Sequence, residues 1–98
     1  GMYEEAIESF EKAIALDPEE ASYYNNLGKV QYMLELSVES VESYKKAIRI
    51  EPDHARAHFN LGVYYSSRND RSSALEEYKI LKGIDTELAN ELLDVIYE

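Results

Sequence analysis

Apolar residues in this chain recur with a helical period, not an alternating one. Tyr3, Ile7, Phe10 and Ile14 fall three and four positions apart, as do Leu88, Leu92, Val95 and Ile96 near the other end. Such spacing gathers each set on one face of a helix. Polar breaks such as Glu35-Leu36-Ser37 and Asn69-Asp70 divide the pattern, which predicts six helices near 2–16, 19–34, 38–50, 53–68, 71–83 and 86–97. Nothing in it reads as a strand, a low-complexity segment, a linker or a domain boundary.

Local signals refine the ends. Pro18 and Pro52 each follow an acid, Asp17 or Glu51. Proline suits the first position of a helix, where its missing N–H is not needed, and the acid before it can cap the free donors. Asp17 and Glu20 have the spacing of a capping box. Neither glycine nor proline occurs from Lys29 to Glu51, so nothing local forces a break between the second and third helices, although Ser37 can cap the third. The two outcomes are a hairpin at 35–37 and one continuous helix exchanged between two chains.

The pattern also repeats. Asp17-Pro18 returns as Glu51-Pro52, and Asn26-Leu27-Gly28 as Asn60-Leu61-Gly62, in both cases 34 residues later. Ala13 and Ala47 keep the interval, as do Phe10, Tyr44 and Tyr78, and Ala6, Ser40 and Ala74. A fixed period in this range marks a stacked repeat. Glycine at a helix contact admits close backbone approach, and a small residue followed four later by an aromatic supplies the facing ridge.

These residues resemble the tetratricopeptide repeat family. Its pattern of an aromatic, Leu-Gly, Tyr, then Ala-x3-Phe, Ala and Pro is matched by Tyr24, Leu27-Gly28, Gln31, Ser40, Tyr44, Ala47 and Pro52. A second match runs through His58, Leu61-Gly62, Tyr65, Ala74 and Tyr78, and residues 1–18 match the second half of a repeat through Gly1, Tyr3, Ala6, Phe10, Ala13 and Pro18. The departures are Gln31 for tyrosine, Glu35 for a turn glycine, Leu81 for a small residue and Thr86 for proline. The resemblance implies an all-α, right-handed superhelical array of antiparallel helix hairpins, and its register demands the hairpin at 35–37. It is divided as a half repeat at 1–18, repeats at 19–52 and 53–85, and a capping helix at 86–98. Beginning in mid-repeat, the chain is expected to continue an array that lies upstream.

Composition alters this picture in a few places. The formal charge is −10, yet the acids crowd the second helix of each repeat, from Glu4, Glu5, Glu8 and Glu11 to Glu39 and Glu42, then Glu76 and Glu77. In the family those helices form the convex side, so a solvated acidic face is expected there. The first helices line the concave groove. By register its residues are Ser22, Asn25, Asn26, Lys29, Tyr32 and Met33, then Arg56, Phe59, Asn60, Val63 and Ser66, a set with two cations and no acid. No concentrated basic patch appears for nucleic acid, and no apolar run approaches a membrane span. The chain has no cysteine, hence no disulfide or thiol chemistry, which fits a cytoplasmic protein.

The implied function is a protein-interaction module that binds an extended peptide of a protein partner in that groove. Asn26 and Asn60 are the strongest candidates, since an amide offers donor and acceptor to a peptide backbone, and some members line their grooves with asparagine. Members that clamp an acidic C-terminal peptide use Lys, Asn, Asn, Lys and Arg in order. Here Arg56 and Asn60 are compatible, but Asn25 and Lys29 stand in the opposite order, so the clamp is not matched. The alternative is a structural role, in which Tyr3, Ile7, Phe10 and Ile14 pair two copies as a homodimer. His54 and His58 have a metal-compatible spacing without an evident third ligand, and are read as surface or packed residues. No nucleophile, phosphate loop or carboxylate pair suggests an enzyme, and no cofactor is expected.

Overall fold

The computed structural model describes all of residues 1–98. Six α-helices make up the chain: α1 (Met2–Leu16), α2 (Ala21–Met33), α3 (Ser37–Ile50), α4 (Ala55–Ser67), α5 (Arg71–Lys82) and α6 (Thr86–Ile96). They form two compact units, Gly1–Pro52 and Asp53–Glu98. In the N-terminal unit α2 packs against both α1 and α3; in the C-terminal unit α4, α5 and α6 all pack against one another.

The helix starts differ from the expected ones in one consistent way. Pro18 and Pro52 lie in turns, and α2 and α4 begin three residues after them. Proline forces the residue before it out of the helical region, and Asp17 is extended (φ −144°, ψ 83°). The following residues are consumed in reversing the chain, so the Asp17 capping box does not form. Glu20 caps α2 instead, accepting the Ser22 N–H at 3.4 Å. His54 caps α4, its Nδ1 accepting the Ala57 N–H at 3.1 Å. Where Thr86 replaces the repeat proline, α6 starts at that residue, and Asp85 caps it by accepting the Leu88 N–H at 3.0 Å.

The hairpin expected at 35–37 is present. Glu35 takes a left-handed conformation (φ 61°), as does Asn69 one repeat later (φ 60°). The Leu36 N–H then reaches the Gln31 carbonyl at 2.9 Å, and the Asp70 N–H reaches Tyr65 at the same distance, the bond pattern of a Schellman stop. The N-cap position of α3 falls on Leu36, one residue before the expected Ser37. Asparagine tolerates the left-handed region, but glutamate does so at a cost of about 1–2 kcal/mol. Glu35→Gly is therefore expected to raise stability by about 0.5–1 kcal/mol, part of the relief being offset by the freer unfolded chain. Urea midpoints of the two proteins check this, and a lower midpoint for the glycine variant would refute the strain.

Packing explains the repeated Leu-Gly. A Cβ built on Gly28 would lie 2.7 Å from the Tyr44 ring and 3.2 Å from the Ser40 carbonyl oxygen. The Ser40 hydroxyl donates to the Gly28 carbonyl at 2.9 Å in a buried bond. Helices α2 and α3 thus meet at van der Waals limits, as the small-then-aromatic spacing implies. At Gly62 the nearest group is different: Leu92 of α6, 2.6 Å from such a Cβ. Leu92 belongs to the core of the C-terminal unit with Ala74, Leu81, Leu88, Ala89 and Ile96. By contrast, α1 has no buried residue at all.

Candidate functional site

The polar face of α2 was the first half of the expected groove. Ser22, Lys29 and Met33 are exposed, Asn26 and Tyr32 are half-buried, and Asn25 is buried. On α4, Arg56 is exposed and Asn60, Val63 and Ser66 are half-buried. Phe59 and Val63 pack against the core to which α6 contributes most of the side chains. The solvent-reaching side chains of these faces are therefore Asn26, Lys29, Tyr32 and Met33 on α2, and Arg56 and Asn60 on α4. Both cations reach solvent, and no acid shares either set.

The two histidines do not converge. His54 is occupied as a cap, while His58 is buried with its Nδ1 2.7 Å from Glu77 Oε1. Glu77 is 13% exposed there, which corrects its expected place on the solvated acidic face. Burying His58 requires a polar partner, and α5 supplies one. Tyr65 stands close to this pair. Desolvation first, then the negative charges of Glu77 and Asp70, push its hydroxyl above its ordinary range near 10.0.

At the matching place in the N-terminal unit the polar contact is Ser43 Oγ donating to Gln31 Oε1 at 2.6 Å. Beside it opens a cleft of about 310 Å³ between α2 and α3. A second cavity of about 260 Å³ lies in the C-terminal unit, lined by Ser66, Asn69, Arg71 and Ile96. Several tyrosines carry a cation over the ring: Lys46 on Tyr24 at 5.9 Å, Arg68 on Tyr64 at 5.4 Å and Lys82 on Tyr78 at 5.7 Å. The last two pairs are four residues apart, a spacing visible in the sequence; the first joins two helices and is not.

The residues expected to self-associate lie along α1. Tyr3 is 38% exposed, and Ile7, Phe10 and Ile14 are half-buried. Met2 and Leu16, at either end of the same helix, are exposed by 82% and 88%.

Comparison with known proteins agrees with this architecture. A TPR repeat family model matches residues 1–34 and 39–68, and the chain belongs to the tetratricopeptide repeat family. No curated protein sequence matches it. Among solved structures, it superposes on the TPR2B domain of yeast Sti1 in its pHsp70 complex with a TM-score of 0.87 at 24% identity, covering 97% of this chain and 80% of that one. The TPR2AB domain of yeast Sti1 in its pHSP90 complex gives 0.87 at 24% identity, over 97% of this chain and 39% of that one. MamA protein gives 0.79 at 26% identity, over 99% of this chain and 58% of that one. The fold is therefore the all-helical fold of TPR domains, which are non-catalytic protein-interaction modules. No helix of the chain is long and apolar enough to cross a membrane.

Proposed function

We propose that the chain binds extended peptide of a partner protein on the polar face of α2 in the N-terminal unit and, one repeat later, on the matching face of α4 in the C-terminal unit. The observation that carries this reading is the recurrence of a half-buried asparagine, Asn26 and then Asn60, directly before a buried Leu-Gly pair. Leu27-Gly28 and Leu61-Gly62 anchor each helix, which holds the adjacent amide at the edge between core and solvent. Such an amide can pair with a peptide N–H and carbonyl whatever the peptide's side chains. Lys29 and Arg56 add positive charge to the same faces and favour a segment carrying acid. The pHsp70 and pHSP90 complexes of the yeast Sti1 domains support a protein partner as a class. The test is a peptide array of neutral and acidic 12-residue segments, followed by calorimetry on the best binder. Asn26→Ala combined with Asn60→Ala is expected to weaken it by about 1–3 kcal/mol, from 0.5–1.5 for each lost hydrogen bond, with an unchanged circular dichroism spectrum. Equal affinities would remove the asparagines from the site.

A second reading, self-association through α1, is favoured by the absence of any buried residue on that helix. Fully burying an exposed large apolar side chain contributes roughly 1.5–3 kcal/mol; Ile7, Phe10 and Ile14 are already half-buried, so pairing their remaining surface with Tyr3 in two copies supplies a part of that for each. Light scattering over a concentration series is expected to show dimer in the wild type and monomer in Ile7→Glu. A wild type that stays monomeric at high concentration rules this reading out.

A further inference from the structure

The cleft between α2 and α3 lies on the side of α2 away from the proposed peptide face. At about 100° per residue, Tyr24, Leu27 and Gln31 centre roughly 170° from the set that contains Asn26 and Lys29. Its lining includes those three residues from α2 and Glu42, Ser43 and Lys46 from α3. One repeat later the same register positions hold His58, Leu61, Tyr65, Glu76, Glu77 and Ile80. There a tyrosine stands where the N-terminal unit has Gln31. Tyr65 packs against the core, and Glu77 and Glu76 act on its hydroxyl. In the N-terminal unit the ring is missing because residue 31 is glutamine, and Gln31 is drawn to Ser43. The cleft thus lies beside a position that carries a tyrosine ring one repeat later.

We propose that this cleft receives the phenol ring of a tyrosine presented by a partner protein. Its surroundings suit that group. Leu27, 8% exposed, gives an apolar floor, and the Tyr24 ring gives a wall for edge or offset stacking. Lys46, already over Tyr24, can serve a second ring face. Gln31, Ser43 and Glu42 offer acceptors to the phenol O–H, and Glu42 holds the register position of the Glu76 that acts on Tyr65. The lining carries Glu39 and Glu42 against Lys46 and Arg49, so it balances in charge and favours a neutral ring over a phosphorylated one. The site is separate from the peptide face, and its test does not depend on that reading.

The experiment is a titration of the whole 98-residue chain with N-acetyltyrosinamide, followed by ¹⁵N–¹H correlation spectra. Shifts are expected at the amides of Gln31, Ser43 and Lys46, with a Kd on the order of 1 mM for so small a probe. Gln31→Tyr, which fills the cleft from within, should weaken binding at least about tenfold, the loss from a 1.4 kcal/mol change. Glu42→Trp, at an exposed rim position, should do the same without disturbing the interior. The phosphotyrosine and phenylalanine analogues should both bind more weakly than tyrosine. No localised shifts, or shifts retained in both variants, would overturn the proposal, as would equal binding of the phenylalanine analogue. Asn26→Ala with Asn60→Ala is expected to leave this titration unchanged, which separates the cleft from the peptide face.

Discussion

Leu92→Ala is expected to lower the stability of the C-terminal unit by roughly 2–5 kcal/mol, the range for a fully buried leucine. Leu92 is wholly buried, and its methyl groups fill the hollow that Gly62 leaves on α4. Truncation removes those methyls and opens a void between α4 and α6. Neither backbone can readily close it, because Leu81, Leu88 and Ala89 already pack around it. The site also predicts a coupling. Gly62→Ala alone introduces a Cβ 2.6 Å from Leu92 Cδ2, a clash that offsets the helical preference of alanine over glycine, about 1 kcal/mol. In the Leu92→Ala background the clash is gone and the preference remains. Gly62→Ala should therefore be near neutral or mildly destabilising in the wild type and stabilising in the variant. Urea denaturation of the four proteins in a double-mutant cycle measures this. Additive effects would show that Leu92 and Gly62 do not share the space.

The outline of this structure was legible because repeat spacing and helix punctuation reinforce one another. Leu27-Gly28 with Ser40 and Tyr44 gave both partners of a helix contact, and the packing of α2 on α3 brings Gly28, Ser40 and Tyr44 together. The turn at Glu35 was legible from register alone, although no glycine marks it. What escaped the sequence depended on atoms brought together from separate elements. An acid–proline pair reads as a helix opening, but chain reversal leaves Pro18 in the turn before α2. Leu92 could not be matched to Gly62, since α6 lacks the Leu-Gly that would fix its register. Glu77 reads as one of the solvated acids, because nothing local announces that His58 is buried opposite it. Gln31 was visible as a departure, but its consequence, a cleft beside a Gln31–Ser43 bond, appears only when α2 and α3 are packed.

Gly28→Ala tests the tightest contact in the N-terminal unit, and it should behave unlike its counterpart one repeat later. The added Cβ would sit 2.7 Å from two atoms of the Tyr44 ring. Tyr44 is 2% exposed and has no open space to turn into. The next neighbour, the Ser40 carbonyl oxygen at 3.2 Å, is backbone and moves only if α3 moves. Displacing α3 would stretch the buried Ser40–Gly28 bond, and a weakened hydrogen bond there costs about 0.5–1.5 kcal/mol. Overpacking contributes a further 1–3 kcal/mol or so. Alanine's helical preference returns only about 1 kcal/mol, so a net loss of roughly 1–3 kcal/mol is expected. At Gly62 the obstructing atoms are the far end of the flexible Leu92 side chain and no backbone atom is among them, so the loss should be smaller there. Chemical denaturation of both alanine variants gives the comparison. The assignment of rank rests on backbone against side chain: if Gly28→Ala proved as stable as the wild type, α2 and α3 would have to separate freely, and the close approach at Leu-Gly would not be what fixes their packing.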